Sequence, residues 1–290
     1  MAGNLGLNTS YKASPAEPLT ILAKDIDNNG LIDAMVYCYM KAEDGSMKPF
    51  PMTTKDDMIS QVIGIRKKFS TYKDYGLATM NDMWSAKDKE GALMLQANHM
   101  ATSYIENKGN GKFSLTPLPL QAQFAPVYGM VATDVNGDNN VDLLMSGNDF
   151  GMEAGSGRHD AFMGLCMLGD GKGHFAPQTV KESGFLVKGD GKGLAQVFTA
   201  KNESIVIATQ NQDSLLLFTN AIANKAATRW IEVNADDFAA EVLYKDGTKK
   251  RLEFYYGSTY LSQSTRKIPI TINIDKLYII NFKGVKRQVL

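Results

Sequence analysis

The sequence predicts a mainly β protein with a helical insertion and a small C-terminal β domain. Three observations carry this. Short apolar runs bounded by Gly, Asn and Asp fill most of the chain; one stretch repeats apolar residues at helical spacing; and an acidic loop with a downstream glycine-rich hairpin occurs twice. The 290 residues suffice for a full core, and 44% apolar with 21% charged residues is ordinary for a globular chain. The 31 basic and 31 acidic residues cancel, so no global field draws in nucleic acid or an anionic membrane surface. No stretch approaches the ~20 apolar residues of a membrane helix. The first residues, Met1-Ala2-Gly3-Asn4-Leu5-Gly6, lack the basic and apolar regions of a secretory signal, so the chain reads as cytoplasmic or as a piece of a longer exported protein. Cys38 and Cys166 lie far apart in apolar runs and are expected to be buried free thiols.

The expected strands are Leu19 to Ala23, Ala34 to Tyr39, Val127 to Thr133, Val141 to Met145, Phe162 to Leu168, Leu194 to Thr199, Ile205 to Thr209 and Leu215 to Phe218. Regular short strands of this kind suit a sandwich, barrel or propeller. Between Thr53 and Trp84 the pattern changes. Met58, Ile59, Val62, Ile65 and Phe69 share one helical face, Thr53 or Thr54 suits an N-cap, and Asp56 and Asp57 suit a first turn. This predicts one or two helices inserted at about 53–90. The Arg66-Lys67-Lys68 cluster on the insert reads as a solvated face rather than a nucleic-acid patch.

The repeat is the most informative feature. Asp25-Ile-Asp27-Asn-Asn29-Gly30-Leu31-Ile-Asp33 matches Asp134-Val-Asn136-Gly-Asp138-Asn139-Asn140-Val-Asp142, and Asn107 to Phe113 matches Gly169 to Phe175. Oxygens at positions 1, 3, 5 and 9 of such a loop, with the carbonyl at position 7, can surround one hard cation, and Ca²⁺ takes six to eight oxygens at about 2.3–2.6 Å. Loop one offers Asp25, Asp27, Asn29, Asp33 and the Leu31 carbonyl. Loop two offers Asp134, Asn136, Asp138, Asp142 and the Asn140 carbonyl. Three carboxylates packed together repel one another unless a cation sits among them. Gly30 and Asn139 at position 6 suit a left-handed backbone. Val36 and Met145 stand where an EF-hand needs a bidentate Glu, and the flanks are strands, so these are not EF-hands. Two structural Ca²⁺ sites are expected. A third, degenerate repeat from Ser183 to Asn220 has Lys201-Asn-Glu-Ser204 in place of the acidic loop, and no metal is expected there.

These Asp-x-Asn-x-Asp-Gly-x-x-Asp-Leu loops with Gly-x-Gly-x-Phe hairpins resemble FG-GAP/VCBS repeats. The tail, with Arg229-Trp230-Ile231 and Gly257-Ser-Thr-Tyr260-Leu261-Ser262-Gln263-Ser264, is similar to an ASPIC/UnbV domain. The stretches Gly3 to Asn8, Gln123 to Pro126 and Ser146 to Gly151 look like the large VCBS/ASPIC-UnbV surface proteins of Bacteroidetes-type bacteria. The resemblance implies calcium-stapled β-propeller blades over 1–222 and an ASPIC/UnbV-like β domain over 223–290. It also implies an exported protein (periplasm, outer membrane or cell surface, often a lipoprotein) without enzymatic activity. The chain departs from the pattern at Asn139 and at Asn281-Phe-Lys-Gly284, where the family closes on Trp-Pro-x-Gly.

Blade one is expected from Leu19 to Leu118, with the helices between its second and third strands; blade two from Gln121 to Val180; and blade three from Ser183 to Asn220. A propeller closes with about four to eight blades, so three leave open edges. Further blades of a longer chain, or another chain, are the expected partners. The function this supports is a binding or scaffolding module for a protein or glycan ligand. The alternative is a polysaccharide-acting enzyme, or a subunit of one, with a site at the propeller mouth among residues such as Asp149, Glu153 and Asp160. RNA binding has least support, for want of basic charge and a stacking motif. Among lesser candidates, His159 with Asp160 reads as a surface loop. Gly169 to Gly173 and Gly189 to Gly193 read as hairpin turns rather than phosphate loops. Tyr255, Tyr256 and Tyr260 suit a sugar-stacking surface, but an aromatic strand packed into the tail's core is the commoner arrangement.

Overall fold

The computed structural model describes residues 1–153, 155–201, 203–222 and 227–290, with only the backbone of Ala227 and Thr228. The chain is mainly β and divides into two compact units, Thr9–Met100 and Met1–Asn8 with Ala101–Leu290.

In the unit Thr9–Met100, strands β1 (Leu19–Lys24), β2 (Asp33–Lys41) and β3 (Met47–Pro51) run as an antiparallel meander. Helices α1 (Lys55–Gln61), α2 (Ile65–Lys68), α3 (Tyr72–Gly76), α4 (Met80–Met83) and α5 (Ala86–Lys89) follow. Strand β4 (Leu93–Ala97) then pairs with β1, giving the order β3-β2-β1-β4. Pro49 and Pro51 fit β3 to an edge, where a missing amide is tolerated. The apolar spacing read from sequence belongs to short helices rather than one or two long ones. Thr71, Thr79 and Ser85 each start a turn by capping the third helical residue, which returns the bond through Asp74, Asp82 and Asp88. Met58, Val62, Ile65, Tyr75, Met83 and Trp84 still share a core with Leu22, Met35 and Tyr37, and the Trp84 indole donates to Tyr37 Oη at 2.6 Å. Thus the helices lie between β3 and β4, not inside a blade that continues to Leu118. The Met47–Pro51 strand takes the place beside β2 that the expected third strand would need.

The other unit begins with the hairpin β5 (Ser103–Gly109) and β6 (Lys112–Pro117). Strands β7 (Val127–Thr133), β8 (Asp142–Gly147), β9 (Leu165–Gly169) and β10 (Phe175–Gln178) form a four-stranded meander. After α6 (Val180–Ser183), β11 (Gly191–Phe198), β12 (Ser204–Gln210) and β13 (Leu216–Thr219) form a three-stranded one. β8 is buried along its whole length, with Leu143, Met145 and Met167 in one core and Val131, Leu144, Leu194 and Val206 in the next. Gly129 is where β7 meets β11: a Cβ there would stand 2.3 Å from Ser146 Oγ and 2.7 Å from Leu194 Cβ. β9 starts later than Phe162 because the Asn148 amide already holds the Phe162 backbone, at 2.7 Å to its carbonyl and 2.9 Å from its N–H. Cys38 and Cys166 are buried and unbridged.

The expected boundary between residues 222 and 223 falls beside residues outside those described. From Ala227 onward, β14 (Ala227–Glu232), β15 (Asp237–Tyr244), β16 (Lys249–Glu253), β17 (Lys267–Thr271), β18 (Ile274–Asn281) and β19 (Lys286–Gln288) make two sheets, β14-β17 and β16-β15-β18-β19. They enclose a core of Ala240, Val242, Ile268, Ile270, Leu277 and Ile279.

Candidate metal centres

Loop one joins β1 to β2 and loop two joins β7 to β8, so each spans one tight antiparallel connection. Their backbones are held by the same three bonds. At positions 2 and 9, the Ile26 N–H donates to Asp33 Oδ2 at 2.9 Å and the Val135 N–H to Asp142 Oδ2 at 2.8 Å. At positions 6 and 1, the Gly30 N–H donates to Asp25 Oδ2 at 2.9 Å and the Asn139 N–H to Asp134 Oδ2 at 2.8 Å. At positions 7 and 5, the Leu31 N–H donates to Asn29 Oδ1 at 2.8 Å and the Asn140 N–H to Asp138 Oδ1 at 2.6 Å. Both loops turn left-handed at positions 4 and 6. Asn28 has φ 59° and Gly30 87°; Gly137 has φ 84° and Asn139 65°. Glycine and asparagine exchange places because either residue type tolerates that region. Position 4 is a turn position that the motif spacing alone, with its turn residue at position 6, does not mark.

The side chains differ. Among the described residues, Asp25, Asp27 and Asp33 are the one group of three acids whose ligand oxygens lie within 4.8 Å of one another. Three acid oxygens that close together could hold a metal ion. Asp134, Asp138 and Asp142 form no such group. Instead Lys250, on β16, donates its ammonium to the Asn139 carbonyl. Gly171 of the β9–β10 hairpin approaches so closely that a Cβ there would stand 2.5 Å from Asn140 Oδ1. Asp142 also accepts from the Gly169 N–H at 2.8 Å, so the two halves of this repeat unit meet. Asp33 and Asp142 are buried. Burial pushes both carboxyls above the ordinary range, and repulsion from Asp27 and Asp25, or from Asp138 and Asp134, adds to it; the amide bonds oppose the shift without cancelling it.

A second polar cluster lies where β7, β8 and β11 begin or end. Lys192 Nζ stands 2.8 Å from Asp190 Oδ1, 3.8 Å from Asp149 Oδ1 and 4.1 Å above the Tyr128 ring. Tyr128 Oη donates to Asp149 Oδ2 at 2.6 Å. Burial alone would raise Asp149, but the Tyr128 and Gly151 bonds with the Lys192 charge outweigh it and hold this carboxyl low, the wrong direction for a general acid. Glu153 and Asp160 are exposed. His159 is buried, not on a surface loop, because its backbone bridges to Asp149. Gly189 to Gly193 is no hairpin: Gly191 starts β11, while Gly169 to Gly173 does turn between β9 and β10. Tyr255, Tyr256 and Tyr260 are exposed by 63%, 61% and 46%, so they do not fill the tail's core. No family model, no curated protein and no solved structure matches this chain.

Proposed function

We propose that the protein is a calcium-stabilised, extracytoplasmic binding or scaffolding module whose sheets act as blades of a partial β-propeller. The observation that carries this reading is the paired loop frame: one set of three bonds and two left-handed residues, built twice from different residues. Where the frame gathers carboxylates, as in loop one, it raises their energy, and a divalent cation removes that cost. Asp25, Asp27, Asn29, Asp33 and the Leu31 carbonyl would hold one ion; Asp134, Asn136, Asp138, Asp142 and the Asn140 carbonyl would hold the other. The ion's part is to fix the connection between two strands. A protein or glycan at the cell surface is the ligand class that fits such a scaffold.

Calorimetric titration with CaCl₂ tests the reading. Binding at about 0.1–1 mM is expected, as for extracellular modules, with a rise in melting temperature that EDTA reverses. No heat of binding and identical melting in calcium and EDTA would overturn it.

A further inference from the structure

β7 and β11 are each the outer strand of their sheet, with one row of backbone groups facing away from the sheet partner. The segment Gly257–Thr265 lies along both rows. Thr259 Oγ1 accepts from the Met130 N–H at 3.0 Å and donates to the Tyr128 carbonyl at 2.9 Å, so one hydroxyl serves both a donor and an acceptor of β7. On β11, the Gln196 N–H donates to Ser264 Oγ at 3.0 Å and the Gln196 carbonyl accepts from the Thr265 N–H at 2.8 Å. The Tyr260 ring packs on Tyr128 at 5.1 Å between centroids. The segment is shaped for this place. The Ser264 N–H donates to Ser258 Oγ at 3.0 Å, Gln263 Nε2 donates to the Ser264 carbonyl at 2.7 Å, and Thr259 bridges to Ser262. It also tolerates strain, since Leu261 adopts φ 45° with its side chain 90% exposed.

We propose that Ser258–Thr265 is a surrogate strand: the Thr259 and Ser264 hydroxyls, with the Thr265 N–H, occupy the free edges of β7 and β11 within the chain, and so prevent these two sheets from pairing with other molecules. The role is independent of calcium. A hydroxyl that both accepts and donates reproduces what a neighbouring strand residue offers through its N–H and C=O. This gives the Thr and Ser of the tail a function that a packing role would not require.

Hydrogen–deuterium exchange on the full-length protein tests it. Thr259→Val keeps the shape and removes the hydroxyl. It should speed exchange of the Met130 amide about fivefold and leave Gln196 unchanged, given roughly 1 kcal/mol for one such bond. Ser264→Ala should do the reverse, and Thr259→Ser should restore the wild-type rate. The double variant Thr259→Val/Ser264→Ala should form larger assemblies than wild type at matched concentration by light scattering. An unchanged Met130 rate in Thr259→Val overturns the proposal. So does uniform acceleration across β7–β10 that serine does not rescue, or a double variant that assembles no further than wild type.

Discussion

In loop one the carboxylates stand at positions 1, 3 and 9; in loop two they stand at 1, 5 and 9, with Asn136 at position 3. The frame bonds are the same, yet only loop one gathers its three acids within 4.8 Å. Loop two instead receives Lys250 at its position-6 carbonyl and the Gly169 amide at its position-9 carboxylate. The comparison separates two properties that the motif unites. Backbone shape comes from positions 1, 2, 5, 6, 7 and 9, which trade bonds across a few residues. The gathering of the acids differs with position 3, aspartate in loop one and asparagine in loop two, which takes no part in the three shared bonds. Cation affinity should therefore follow position 3, and metal-free stability should follow position 9.

The largest expected effect is at position 9. Asp142→Ala strands the buried Gly169 amide and the half-buried Val135 amide, and should cost about 2–4 kcal/mol in urea unfolding with EDTA present. Asp33→Ala strands the Ile26 amide and should cost about 1–2 kcal/mol. Equal losses would break the comparison. The buried Asp237 shows what a protein cation does to a carboxylate: the Arg287 guanidinium grips it through two bonds of 2.5 Å and holds it below the ordinary range. A depressed carboxyl stabilises the fold above its unfolded value, and that stability is lost as pH falls through the depressed one. Asp237→Asn should then lose about 1.5–3 kcal/mol at neutral pH and show a flatter acid limb from pH 5 downward.

Position 3 separates affinity from stability. Asp27 is exposed, and Asp27→Ala should change unfolding in EDTA by no more than about 0.5 kcal/mol. It should weaken calcium binding at loop one tenfold or more, about 1.4 kcal/mol by calorimetry. Asn136→Asp should strengthen loop two in the same assay. The smallest effect is expected from Lys250→Met, which removes a positive charge beside loop two. Calcium should bind there a few-fold more tightly, with metal-free melting lowered by no more than a few degrees.

Much of this was legible in the residues. Short apolar runs located β1, β2, β7, β8 and the strands β11–β13, and Asp25, Asp27 and Asp33 of the loop-one motif cluster together. The restarts at Thr71, Thr79 and Ser85 were also present as Ser/Thr-x-x-Asp boxes. They were hidden because apolar residues facing one sheet keep a helical rhythm across short breaks. Lys192 gave no signal, since beside its sequence neighbour Asp190 it is met by Tyr128 on β7 and Asp149 beyond β8, both distant in the chain. Nor did the sequence show that Thr259 and Ser264 serve strand edges, for hydroxyls in a turn look alike whatever they bond.

The sequence by itself determined the nine-residue frames, because each bond in them joins residues no more than seven apart and needs only local dihedrals and short polar side chains. The tertiary structure decided what surrounds those frames: the burial of Asp33 and Asp142, the Lys250 ammonium over loop two, and the hydroxyls along β7 and β11. Burial and counter-charge depend on which distant segment arrives, and that choice is made by the packing of whole sheets.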